Sequence, residues 1–346
     1  MNVCKRLKKT AICLALLGMC TGCSGGEQPA EGTLALTGYS GSVTLFSSMQ
    51  EEQIQAIKEG FEQKYPNITM DYFFAGTSKV LTKLATEMQS GEITADLVWT
   101  GAPSDYRKLK EDRYLSPYIS PQAININEAF VDEHHYYIGG RLMSAVIAYN
   151  TDLVSEEEAP RTWEELLDPK WKGKIVMTDP GSSGSTKYFV GALMNAPGYG
   201  EAYFEQLKEN GCMLESNSTA THLQIADGTY AVGICLDYIV SNLEHDGEPI
   251  AFHVPERDAV PIYSPMGLVA GCPNERNGRL LYDYILSKEG QQILVEHHLR
   301  SIRDDVDDFG IPLQTVLDTR LPVDDQVVSD TMEDAMGRFD RIFFQE

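Results

Sequence analysis

The sequence predicts an α/β protein of two lobes, each a mostly parallel sheet flanked by helices. Three observations carry this expectation. From Ser42 onward short apolar runs alternate with amphipathic helical segments. The alternation begins afresh after "RLMSAVIAYNTD" (141–152). Turns rich in glycine and hydroxyl groups stand between strands and the helices that follow, as they do where a parallel sheet carries helices on both faces.

In chain order, "SVTLFSS" reads as a strand and "EEQIQAIKEGFEQKY" as a helix with Ile54, Ile57 and Phe61 on one face. Pro66-Asn67 turns the chain into the strand "ITMDYFF". "SKVLTKLATEMQSG" is a helix striped by Val80, Leu84 and Met88, ending near Gly91. "ADLVWTG" is a strand and "APSDYRKLKED" a helix. In the second series "TWEELLD" opens with a capping box of Thr162 and Glu165. "KIVMT" is a strand, "TKYFVGALM" a helix, and "GEAYFEQLKENG" a helix stopped by Gly211. "CMLES", "TATHLQIADG", "YAVGICLD", "YIVSNLEHDG" and "IAFHV" continue the alternation. "PIYSPMGLVAG" is strand-like and "RLLYDYILSKEGQQILVEHH" one helical run.

The first residues are not part of this fold. Lys5, Arg6, Lys8 and Lys9 precede the apolar stretch "AICLALLGM", too short to span a bilayer and fitting a secretory signal. "CTGCSGG" resembles the bacterial lipobox, which implies cleavage before Cys23 and a lipid on that cysteine. Residues 1–22 are then a lipoprotein signal peptide and 23–41 a flexible tether, placing the protein outside the cytoplasm on a membrane anchor. Losing residues 1–22 takes away four positive charges and no acid, moving the formal net charge from −23 to −27. Such a surface argues against nucleic acid as a partner. The remaining cysteines, Cys212, Cys235 and Cys272, lack metal-site spacing. Cys212 and Cys235 either pair or stay as buried thiols.

In open parallel sheets ligands sit at the carboxyl ends of strands, beside helix N-termini. Four such turns carry the same chemistry: Ser47-Ser48, Gly76-Thr77-Ser78, Gly181 to Thr186, and Asn217-Ser218-Thr219. Each offers hydroxyls and backbone amides at the positive end of a helix dipole, suited to an oxyanion. A single one of them needs no more than N-capping as its reason; four in two lobes, one of them "GSSGST", exceed that need. The candidate ligand-binding residues are Ser47, Ser48, Gly76, Thr77, Thr100, Ser183, Gly184, Ser185, Thr186, Ser218, Thr219, Asp237 and Tyr238. Asp237, closing "YAVGICLD", either faces a ligand's ammonium or hydroxyl groups or caps the next helix. Trp99 packs in the core or on a ligand.

Catalytic readings fail. "GSSGS" has Ser185 where a nucleophile elbow needs glycine. "WKGK" lacks the rest of a phosphate-binding loop, and no H-E-x-x-H or G-x-G-x-x-G follows a strand. "DDVDDFG" (304–310) lacks the alternate spacing of a calcium loop. No enzyme activity and no cofactor are expected.

"VTLFSSMQEEQIQAIKEGFEQKYPNITMDYFFAGTSKVLTKL" with "ADLVWTGAPSDYRKLKEDRYLSPY" resembles the first lobe of solute-binding proteins of bacterial ABC transporters, in the branch of iron(III), 2-aminoethylphosphonate and sugar-phosphate binders. "PRTWEELLDPKWKGKIVMTDPGSSGST" is similar to its second lobe and "SKEGQQIL" to its closing helix. The resemblance implies a type II periplasmic-binding fold, a Venus flytrap with lobe 1 at 42–145 plus 264–346 and lobe 2 at 146–263. The chain would cross near Arg141–Tyr149 and return near Pro261–Leu268. It also implies a monomer that closes on a small anionic solute and docks on a permease. Iron-binding members place two adjacent tyrosines where this chain has Asp237-Tyr238, so phosphoryl or phosphonate cargo is the leading expectation and ferric iron the alternative.

Overall fold

The computed structural model describes residues 38–101, 103–306 and 313–345. The signal peptide, Cys23 and the tether up to residue 37 lie outside the described residues, as does the end of "DDVDDFG". No helix among the described residues is long and apolar enough to cross a membrane.

Two parallel trios form as the alternation predicts. The first is β1 (Gly41–Ser47), flanked by β2 (Ile68–Phe74) and β3 (Leu97–Trp99). Its helices are α1 (Glu51–Lys64), α2 (Thr77–Ser90) and α3 (Pro103–Glu111). The second is β6 (Ile175–Thr178), flanked by β7 (Met213–Glu215) and β8 (Val232–Leu236). Its helices are α4 (Gly184–Asn195), α5 (Gly200–Glu209) and α6 (Ser218–Ala226). Local signals hold at the ends. Gly91 adopts φ 77°, and its amide reaches the Glu87 carbonyl, closing α2. Gly211, at φ 76°, follows the end of α5.

Two long strands join the trios. β5 (Ile138–Asn150) and β10 (Val260–Val269) pair antiparallel, with a register shift between Ser264 and Pro265. β10 then pairs with β3, and β5 with β8. One mixed sheet results, in the order β2-β1-β3-β10-β5-β8-β6-β7. The short β4 (Leu115–Ser116) adds to β10, and β9 (Ile250–His253), which follows α7 (Asp237–His245), adds to β5. All 13 residues of β5 are buried, which is why its sequence runs apolar without alternation.

Two local expectations change. The box at Thr162 opens a 3-10 turn, Glu164–Leu167, and Glu165 reaches back to the amide of Arg161 (2.7 Å) instead of Thr162. The run expected as one helix is two, α8 (Glu275–Leu286) and α9 (Lys288–Glu296). Ser287 makes the break. Its hydroxyl donates to the Tyr284 carbonyl (2.6 Å) and accepts from the Gly290 amide (3.2 Å), ending one helix and capping the next.

After the short α10 (Leu313–Asp318), the chain ends in α11 (Asp325–Phe344), whose Val328, Met332, Ala335 and Phe339 are buried. It packs on α4, α5 and α3, helices of both trios. Arg107 pairs with Asp330 (2.7 Å), and Asn195 donates to Thr331 (2.9 Å).

Gly233, in β8, leaves no room for a side chain: a Cβ there would lie 2.5 Å from the Val176 carbonyl oxygen and 2.6 Å from the Ile225 side chain. Gly233→Ala should cost about 1–3 kcal/mol by overpacking, read as a lower urea midpoint at unchanged m-value.

Candidate ligand-binding cleft

The four hydroxyl-bearing turns converge on one cleft of about 320 Å³. Ser48 and Gln50 enter it from the β1–α1 turn, and Gly76 and Thr77 from the start of α2. Ser182 to Ser185 enter from the start of α4, and Asn217, Ser218 and Thr219 from the start of α6. Local sequence explains the convergence. Each trio is parallel, so the strand ends and helix starts of a trio share one edge.

The two halves touch across the cleft. Ser78 Oγ donates to the Gly181 carbonyl (2.7 Å), and Lys187 pairs with buried Asp105 (2.7 Å). A Cβ on Gly184 would lie 2.8 Å from Thr77 Oγ1, so only glycine permits this approach.

Several predicted residues line the cleft: Ser48, Gly76, Thr77, Ser183, Gly184, Ser185, Ser218, Thr219 and Tyr238. Thr77 Oγ1 donates to Ser48 Oγ (3.0 Å). Ser183 is also the cap of α4, accepting from the Thr186 amide (3.3 Å), and Asn217 caps α6 through the Ala220 amide (2.9 Å).

Four predicted residues are placed elsewhere. Ser47 is fully buried; its hydroxyl donates to the Trp99 carbonyl (2.9 Å) and accepts from the Met49 amide (3.1 Å), holding the turn from within. Thr100 is also buried behind the cleft wall, its amide donating to the Tyr106 hydroxyl (3.0 Å). Thr186 turns away from the cleft, its hydroxyl donating to Ser183 Oγ (3.1 Å). Asp237 is buried and does neither: it is the first residue of α7, whose N-cap is Leu236, and its carboxylate binds inside the protein. It accepts from the amides of Ser144 (3.0 Å) and Tyr238 (2.9 Å) and pairs with Arg300 (3.1 Å). Burial raises its pKa, and Arg300 opposes the rise. Trp99 belongs to the core, its indole N–H donating to the Ser264 carbonyl (3.0 Å). Cys212 and Cys235 are free buried thiols, both pushed up in pKa by burial.

Sequence reasoning missed Arg141. It stands on β5, is 2 % exposed, and lines the cleft. Its Nη1 donates to Gln53 Oε1 (3.2 Å), while its Nε has no hydrogen-bond partner. The guanidinium lies 5.8 Å from the Trp99 ring centre and 5.3 Å from that of Tyr238. Burial lowers its pKa, yet from so high a value that the group stays charged. A lone arginine inside "IGGRLMSAVIAYN" was the available signal, because a buried cation in an apolar strand needs a reason. Among the described residues no cluster of three His, Cys, Asp or Glu side chains is arranged to hold a metal.

Behind the α6 wall sits His222, 1 % exposed. Its Nε2 accepts from the Leu236 amide (2.9 Å), and its Nδ1 faces the Ser218 carbonyl, so the ring is neutral with its proton on Nδ1. Both partners line the cleft.

The fold and the cleft define a class: a protein that captures a small solute between two parallel-stranded halves. Residues 93–313, more than half of the chain, match the model of the bacterial extracellular solute-binding protein family, and the chain belongs to that family. As a member it is an extracellular solute-binding protein and not an enzyme. A relative from Salmonella typhimurium, a putative 2-aminoethylphosphonate-binding periplasmic protein, is 27% identical over 242 residues, 66% of this chain and 67% of its own. The periplasmic binding protein AfuA of Actinobacillus pleuropneumoniae, solved with fructose-6-phosphate, superposes with a TM-score of 0.79 at 21% identity, covering 88% of this chain and 99% of that one. Iron-bound HitA from Pseudomonas aeruginosa gives 0.77 at 18% identity, covering 87% and 99%.

Burial pushes the pKa of His222 from 6.5 down to about 4. The unfolded chain therefore binds more protons between these values, and stability is lost as pH falls from about 6.5 toward 4, by roughly 3 kcal/mol in all. Urea unfolding at pH 7 and pH 4.5 should show this loss in the wild type and a smaller one in His222→Gln.

Proposed function

We propose that the cargo is a small phosphorylated or phosphonate compound whose anionic head is held by Arg141 and the N-termini of α2, α4 and α6. Arg141 carries the reading: a buried guanidinium with a free Nε, in the cleft that also collects the starts of α1, α2, α4, α6 and α7. An arriving anion gives this guanidinium a charge partner within the cleft, which Gln53 and the two rings do not supply. β5 and β10 act as the hinge between lobe 1 (42–145 with 264–346) and lobe 2 (146–263). The protein works as a monomer, tethered through a lipid on Cys23, and delivers the solute to a membrane permease.

Ferric iron is the second reading. It is the better supported on kinship, since several of the similar structures carry iron by name. The cleft's chemistry sets it second. Among its lining residues the only oxygen acid is the phenol of Tyr238, whose pKa burial raises against the pull of Arg141.

Arg141→Gln separates the two. Phosphonates, sugar phosphates and phosphoglycerates should raise the melting temperature of the wild type, and the variant should bind the best of them about ten- to a hundredfold more weakly, the worth of one charge-assisted hydrogen bond. Unchanged affinity would remove Arg141 from the site. A visible iron–phenolate band on adding ferric citrate, lost in Tyr238→Phe, would establish the second reading instead.

A further inference from the structure

Resting on the phosphoryl reading, the cleft's composition says what kind of molecule carries the head group. Its lining contains one formal charge, the Arg141 cation, and no aspartate, glutamate or lysine. Asp237, the nearest acid in sequence, is turned away and held by Arg300 and two amides. Gln50 and Asn217 offer neutral amides only. The same lining includes Met143, Leu236 and Ile239, all at least nine-tenths buried, with Phe74 more exposed at 43 %. Met143 stands two residues from Arg141 on the same face of β5, about 7 Å along the strand. The apolar wall therefore begins within one pleat of the anion anchor. At roughly 30 Å³ per water the cleft holds the space of about ten waters, enough for a phosphoryl head and an organic part of similar size.

We infer that the cleft selects phosphonates or phosphate monoesters whose organic part is uncharged and presents an apolar face, and that it rejects amino-phosphonates. An ammonium group at the tail would leave water for a wall of Met143, Leu236 and Ile239 and would find no carboxylate to pair with. Arg141 would repel it besides. An unpaired charge moved into such surroundings is strongly disfavoured, whereas a methyl group in the same place gains from burial. The chain thus departs in cargo from the relative named for 2-aminoethylphosphonate.

The test is a matched pair of ligands on the wild-type protein, which sets aside any question of folding. n-Propylphosphonate and 2-aminoethylphosphonate have the same skeleton and differ by methyl against ammonium at one end. Isothermal titration at pH 7.5, with inorganic phosphate as a head-group reference, should give n-propylphosphonate at least tenfold tighter than 2-aminoethylphosphonate. Equal affinity, or tighter binding of the amine, with phosphate still bound, overturns this inference and leaves the anion site standing. Failure of all three to bind at millimolar concentration overturns the anion site and the inference with it.

Discussion

The antiparallel pairing of β5 with β10 is the constraint on which the molecule depends. Each trio of parallel strands is small, and neither has its inner edge closed by its own strands. β10 closes the first against β3 and β5 closes the second against β8. The two strands bond to each other over Val260–Met266 and Ala145–Ile138. An unpaired edge inside the protein would leave backbone donors and acceptors without partners, so the seam satisfies both halves at once. It also places Arg141 and Met143 on the floor between the halves, which makes the connecting strand part of the binding surface.

Polar groups at the cleft divide into those that hold the wall and those that face the space. The side chains of Ser47, Thr186 and Asp237 bind protein atoms and stiffen the turns behind the surface. Ser48, Thr77, Ser185, Ser218 and Thr219 line the space itself. Ser183 does both, capping α4 while lining the cleft. Capping and binding are therefore not competing explanations here. A cap fixes the helix start, and the fixed start presents its amides to the cleft. His222 ties the two walls of the second trio in the same way, linking α6 to the end of β8.

α11 shows how far the ends of the chain reach. It lies on α4 and α5 of the second trio and α3 of the first, with Tyr188, Arg320 and Asp325 bonded at its start. Its apolar stripe, Val328, Met332, Ala335 and Phe339, has the helical spacing that the sequence shows. The sequence does not show that the stripe spans both halves.

Local patterns determined most of the elements. Short apolar runs gave the strands, several of them buried on both faces, and stripes gave α1 and α2. Gly91 and Gly211 gave helix ends, because a positive φ is written in the residue itself. The four hydroxyl turns were legible for the same reason: strand, small residues and helix start are contiguous in the chain. Tertiary structure alone decided which face each residue took. Ser47 and Ser48 are neighbours, yet one points into the core and the other into the cleft, since successive residues of an extended segment face opposite ways. Asp237 went to Arg300, 63 residues away, and Arg141 became the cleft's cation only because β5 is shared by both halves. Partners that distant leave no periodic trace in a sequence, and burial of a charge is a property of the assembled neighbours.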